Sequence, residues 1–404
     1  MVRSSARPLS GSAAFWVSAS VVAICLWGSA SPSMVFPLYL EQWHLDPEEI
    51  ETVFAAYPFT VAFLMLILGG LSDRLGRRRT MLIGLSSLAV GSLVFALAPA
   101  LPFLYVGRLF QAIGTATALS AATAALVEFE PQRRAARVSR VTILATATGL
   151  VIASLIAGAL IEYAPLPLHL TFWLGFALAI GIAFLVLRLP DHPEARVRKA
   201  DSASSRPRLP RKAIATGASA LIAAYAMGAL VLSLGADIAR DLLGTDDAFL
   251  AGAVIALFSL AIGAGGLTLG HFPVHRLAVL GTVAAVVSLG VLLIASTQRD
   301  LLLFSVSSLL AGAAFAAFLS TALGVVVAET PPEAKAVTMS RLYATGYAVQ
   351  GVLALALGAI ADISLPAAIT SWIVLLAVIG SVASFLVWRR TRPARPARES
   401  ISAG

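Results

Sequence analysis

Charge is scarce in this chain. Of 404 residues, 12% are Asp, Glu, Lys or Arg, while 59% are hydrophobic. Soluble domains average about 25% charged and about 45–50% apolar residues, so an ordinary water-soluble fold is excluded. Cysteine is almost absent as well: Cys25 is the only one. That removes a disulfide framework and a cysteine metal site, and leaves Cys25 as a small packing residue in the first apolar run. Carboxylates are missing from the middle of every apolar run. All 21 Asp and Glu fall in loops or at run ends, so no acid stands at a bilayer midplane, where a proton carrier is usually sought. No phosphate-cradling glycine loop ending in Lys-Ser or Lys-Thr appears, which disfavours an ATP-driven pump. The five histidines, His44, His169, His192, His271 and His275, lie near run ends or in loops without a partner acid or nucleophile, which disfavours an enzyme. His271 and His275 have the i, i+4 spacing of a metal pair, but Pro273 interrupts them and no third ligand is near, so no metal and no cofactor is expected.

What is present is apolar length. A helix crossing roughly 30 Å of hydrocarbon takes about 20 apolar residues, so the chain accommodates a dozen spans with short connections and no soluble domain. Apolar runs set against polar punctuation predict helices at about 14–40, 48–71, 79–98, 102–127, 138–163, 168–188, 213–237, 247–270, 274–296, 301–327, 336–361 and 366–388. The first run is far longer than the roughly 7–15 residues of a signal-peptide core and reads as a retained helix. One connection is long, the polar, basic and Ser/Pro-containing segment 189–212, which divides the chain into an N-terminal half (1–188) and a C-terminal half (213–388), followed by a basic tail (389–404).

The formal charge of +8 is not a nucleic-acid signature, because the basic residues sit between apolar runs and not on one accessible face. With the N-terminus placed in the cytoplasm, 26 of the 29 Lys and Arg fall on cytoplasmic segments, Arg240 and Arg299 on outer ones, and Arg108 inside a helix. That asymmetry predicts a multi-pass protein of the cytoplasmic (inner) membrane with both termini inside.

The halves echo each other. Pro131, Ser139 and Arg140 recur 201 residues later as Pro332, Ser340 and Arg341, and GALIEYA from Gly158 is echoed by GAIADIS from Gly358. The expected fold is therefore all-α, twelve transmembrane helices in two pseudo-symmetric six-helix halves.

The most specific string is GGLSDRLGRRRT, residues 69–80. It matches every fixed position of G-x-x-x-D-R-x-G-R-R at Gly69, Asp73, Arg74, Gly76, Arg77 and Arg78, and so resembles the signature of the major facilitator superfamily. LYVGRLFQAIG, with Arg108, Gln111 and Gly114, resembles that family's R-x-x-Q-x-x-G motif on the fourth helix. The glycines permit close approach and a tight turn, and Asp73 puts a carboxylate at the cytoplasmic edge, where it can face the positive end of another helix. The resemblance implies a gating latch between the first half and helix 11, and an ion pair from Arg77 to an acid at the inner end of helix 4, Glu128 or Glu130. The matching loop of the second half has Gly270, His271 and Pro273 in place of Asp73, Arg74 and Gly76, so the latch is one-sided. On helix 5, Gly149, Ala153, Ser154, Ala157 and Gly158 resemble the antiporter motif of the family's drug:proton exchangers, with both middle positions changed and the proline lost; ordinary small-residue packing explains them equally.

Arg108 should face the bundle interior, since a charge within a span costs about 2.5–3.5 kcal/mol unless paired or hydrated. Gln111 and Thr115 continue its face. Two readings stay open: a cavity-facing group that binds solute or steers a proton, or a buried arginine satisfied by carbonyls of helix 1 or 2. Trp27, Tyr39, Tyr57, Tyr225, Tyr343, Tyr347 and Gln350 complete a candidate pocket of aromatic and amide groups, with the last three on one helical face. Each singly is an ordinary packing residue; as a set they outline a site for a neutral or weakly polar, partly hydrophobic solute. Glu51, at the outer entrance of helix 2, and Asp73 are the remaining titratable candidates for coupling, although Glu51 also fits a solvated first-turn acid. The function expected is alternating-access transport of a small solute by a monomer, as proton-coupled efflux of a drug-like or metabolite molecule. The alternative is an uptake symporter or a facilitator for a small sugar or organic acid.

Overall fold

The computed structural model describes residues 9–68, 75–132, 134–190, 211–235, 238–239, 247–331 and 335–391. Gly69, Asp73 and Arg74 of the loop signature, most of the 189–212 linker, Arg240 and the tail from residue 392 lie outside the described residues.

Twelve helices are present among them: α1 (Gly11–Trp43), α2 (Pro47–Leu68), α3 (Arg77–Ala96), α4 (Leu101–Phe129), α5 (Ala135–Tyr163), α6 (Leu170–Val186), α7 (Arg211–Ala229), α8 (Ala248–Thr268), α9 (Val274–Gln298), α10 (Leu301–Glu329), α11 (Lys335–Ala361) and α12 (Leu365–Thr391). Eleven are long and apolar enough to cross a membrane; α6, with 17 residues, is shorter. Their ends follow local chemistry. Ser10 caps α1, Asp247 caps α8 and Asp300 caps α10, each side-chain oxygen accepting a backbone N–H of the first turn. Gly76 has φ +89°, a conformation that disfavours any side chain, and it turns the chain into α3. Pro32, Pro37 and Pro58 are carried inside α1 and α2. The predicted seventh helix, 213–237, departs from the expectation: after Ala229 the chain widens into a π-helical turn, Leu230–Leu234.

Packing repeats with a period of six helices. In the first half α1 packs on α4, α5 and α6, α3 on α4 and α6, and α2 on α4; in the second half α7 packs on α10, α11 and α12, α9 on α10 and α12, and α8 on α10. The halves meet along two seams, α2 with α11 and α5 with α8, which exchange under the same shift. These are the two pseudo-symmetric six-helix halves expected of the all-α membrane fold.

Both seams are in contact from end to end. Along the first, Glu51 of α2 lies against Gly358 of α11, Phe59 against Gly351, and the Ser340 hydroxyl donates to the Met65 carbonyl. Along the second, the Glu162 carboxylate of α5 accepts from the Ala248 N–H at the start of α8 at 2.9 Å, and Ser154 backs onto Gly252 so closely that a Cβ there would overlap its carbonyl. Met65 and Ser340 mark the basic end of the bundle, and Glu51 and Glu162 its far end.

Candidate solute-binding site

Arg108 is fully buried on α4, 0% exposed. One of its nitrogens, Nη1, donates to the Ser29 carbonyl of α1 at 3.1 Å and to the Gln111 side-chain oxygen at 3.5 Å. Three rings surround the guanidinium: Phe36 of α1 at 5.0 Å, Tyr57 at 5.3 Å and Phe54 at 5.8 Å, both of α2. Such contacts offset part of a buried cation's lost hydration, about 2 kcal/mol or more each when desolvated. Nε and Nη2 of Arg108 and Nε2 of Gln111 are buried without a partner. Thr115, one turn beyond Gln111, donates to the Cys25 carbonyl of α1 at 3.5 Å. Among the described residues the charge has no carboxylate partner.

The cluster continues across the first seam. Tyr57 meets Tyr347 of α11 with ring centroids 6.5 Å apart, Tyr347 meets Tyr225 of α7 at 5.0 Å, and Tyr225 meets Phe315 of α10 at 6.2 Å. The side-chain amide of Gln350 lies beside Gly228 of α7, near Phe315. Tyr343, one turn before Tyr347, packs half-buried against the second-half core. Of the expected pocket residues, Arg108, Gln111, Tyr57, Tyr225, Tyr347 and Gln350 are thus brought into one group spanning both halves.

Others are placed elsewhere. Trp27 turns into the first half, its indole nitrogen packed beside Gly175 of α6 and Ser92 of α3. Tyr39 points to the far end, donating to the Leu168 carbonyl at 3.5 Å, with its ring tilted against that of Trp43, centroids 4.6 Å apart. Glu51 is not a solvated first-turn acid: it is 4% exposed, because the α2–α11 seam closes over it at Gly358. Phe36, Phe54 and Phe315, which no sequence motif marks, also belong to the group, as does the Ser29 carbonyl.

At the basic end, Arg77 at the start of α3 pairs with Glu128 at the end of α4, Nε to Oε1 at 2.8 Å. Arg78 donates to the Leu189 carbonyl just past α6 at 3.5 Å. Glu130 instead folds its own loop, accepting from Gln132 and Arg134 N–H and pairing with Arg137 at 3.2 Å. In the second half Glu329, 201 residues after Glu128, pairs with Arg390 of α12 at 2.7 Å, since Val274 stands where Arg77 would recur. A small cavity also lies inside the second half, among Met227, Leu230, Ile255, Leu292 and Phe304, with the Ser288 and Ser307 hydroxyls donating to each other's carbonyls at its wall. Its lining includes none of the Arg108 group.

Residues 16–298 match the family model of the Major Facilitator Superfamily, more than half of the chain. The chain belongs to the major facilitator superfamily. Two solved structures of this superfamily's architecture superpose on nearly its whole length: the nucleoside transporter NupG, with a TM-score of 0.71 at 14% identity over 94% of this chain and 99% of that one, and a bacterial homologue of the human lysosomal transporter Spinster in an inward-facing, occupied conformation, with 0.66 at 16% over 95% and 98%. At those identities the likeness is one of fold. Among curated relatives, the lincomycin resistance protein of Streptomyces lincolnensis is 32% identical over 90 residues, and the uncharacterised transporter EfpA of Mycobacterium tuberculosis 33% over 111 residues. These matches cover 22% and 27% of this chain and only about a fifth, 19% and 21%, of the relatives. As a superfamily member with this fold, the chain is a multi-pass membrane protein of a transporter family.

Proposed function

We propose that the chain is a secondary active transporter that carries a small drug-like or metabolite solute out of the cell by alternating access, coupled to protons. The observation behind this reading is the cluster that joins Arg108, Gln111 and Tyr57 of one half to Tyr225, Tyr347 and Gln350 of the other, so that relative motion of the halves changes its shape and access. Efflux is supported by the resistance protein among its relatives. The cytoplasmic membrane as location, with both termini inside, is supported by the skew of Lys and Arg toward the basic end. A single chain encloses the cluster, which fits a monomer.

For coupling, Glu51 is the best candidate: it is a buried acid in the far-end seam, and taking a proton removes the charge that closure has to bury. For gating, Asp73, with Gly69 and Arg74, remains the proposed latch. The Ser340–Met65 contact, which brings the basic ends of α2 and α11 together, and the Arg77–Glu128 pair at the same end of the bundle support that role. The test is purified protein in liposomes under an imposed pH gradient with a panel of labelled solutes. Gradient-driven flux that disappears in Arg108→Ala and loses its gradient dependence in Glu51→Gln supports the proposal. Flux indifferent to the gradient would overturn coupling, and inward flux against a solute gradient would favour an uptake symporter.

A further inference from the structure

We infer that the solute is a monoanion: an organic molecule with one carboxylate and an apolar, ring-sized body. This rests on the seam cluster being the transport site. Missing midplane acids alone suggest a neutral solute, but three of the four unpartnered polar atoms in this group, Arg108 Nε and Nη2 and Gln111 Nε2, can only donate, and the fourth, the Tyr57 hydroxyl, can donate as well. Nη1 is engaged, while Nε and Nη2, whose N–H groups lie along one edge of the planar guanidinium, have no acceptor. That edge is the fork that matches the two oxygens of a carboxylate. The Gln111 amide nitrogen, also buried and unpartnered, adds a third donor beside it. Buried donors without acceptors in a folded protein call for an explanation, and a bound acceptor supplies one.

The charge balance narrows the class. Among the described residues Arg108 has no carboxylate partner, and the other described cations stand at helix ends, so one negative charge neutralises the site and two would leave one unbalanced. A cationic solute would meet an uncompensated guanidinium. The body of the ligand is set by the rings: Phe36, Phe54 and Tyr57 wall the guanidinium, and Tyr347, Tyr225 and Phe315 extend an aromatic surface away from it across the seam. An oxyanion on a flat hydrophobic body fits both parts.

The experiment measures binding to purified protein in detergent by thermal shift and calorimetry, using two bodies in three charge states: 4-phenylbutyrate with its amide and amine, and 1-naphthoate with its amide and the matching amine. For at least one body the carboxylate is expected to bind tenfold or more tighter than its amide, with the amine weakest. In Arg108→Gln that preference should vanish, and in Arg108→Lys, which keeps the charge but not the fork, it should shrink. If neither carboxylate outbinds its amide, the inference is overturned, and the wild-type comparison decides this even if a variant does not fold. A preference that survives in Arg108→Gln also overturns it. Failure of transport is a separate result: carboxylate binding without flux in liposomes contradicts the proposed function, whereas flux of neutral solutes only contradicts the monoanion.

Discussion

Arg108 holds its charge in the membrane-spanning part of the bundle with one nitrogen on a carbonyl and two left for something else. A charge-assisted hydrogen bond is worth about 1.5–3 kcal/mol. Arg108→Ala should therefore insert and fold, keeping a wild-type elution profile in detergent, while solute binding weakens roughly tenfold to a hundredfold; a protein that fails to insert would assign Arg108 to structure. Gln111→Ala removes a neutral donor and should cost less, about 0.5–1.5 kcal/mol, or severalfold in binding by the same titration. Much of this group was legible in the sequence, because helical phase puts Gln111 and Thr115 on the Arg108 face and Tyr343, Tyr347 and Gln350 on another. What phase does not tell is which neighbour a face meets. Trp27 stands nine residues before Phe36, about half a turn round α1, and so packs into α3 and α6 while Ser29 and Phe36, seven apart, face Arg108. The Ser29 carbonyl carries no side-chain signature at all, and Phe36 and Phe54 are two among 19 phenylalanines.

The helices were legible from charge and apolar length, since run ends are marked by Arg, Asp, Glu, Pro and Gly. The π turn at Leu230–Leu234 was not, because LVLSL continues the apolar run without proline or glycine. The small residues of α5 serve close backbone approach: a Cβ on Gly149 would overlap the Ala23 carbonyl of α1, while Gly158 backs onto Ala248 and Phe249 of α8. Gly149→Ala should then cost about 1–3 kcal/mol of overpacking and lower the melting temperature in detergent. Gly290→Ala, inside α9 with nothing within 4 Å of the added carbon, should leave it unchanged or raise it, because alanine is favoured over glycine by about 1 kcal/mol within a helix. Equal effects of the two would show that the α1–α5 crossing does not need its glycine. The Arg77–Glu128 pair is partly exposed, at 20% and 28% side-chain exposure, so each single neutralisation should change stability by about 1 kcal/mol or less, with the charge-swapped double variant recovering the loss.

Across the whole molecule, two halves share seams that must part at one end while holding at the other for a solute to pass. A contact biases such an equilibrium only if it differs between the states. Glu51 against Gly358, at the far end, is the contact that the proposed alternating access requires to break when that end opens. The decisive measurement is access to the site from each side. Tyr347→Cys places a thiol between the halves, against a background whose only native cysteine, Cys25, is buried. A membrane-impermeant maleimide should label it in both right-side-out and inside-out vesicles. Adding Glu51→Cys and Gly358→Cys and oxidising them to a disulfide should then abolish labelling from the far end only, with reduction restoring it. Labelling from a single side that is unaffected by the cross-link would contradict alternating access in this protein.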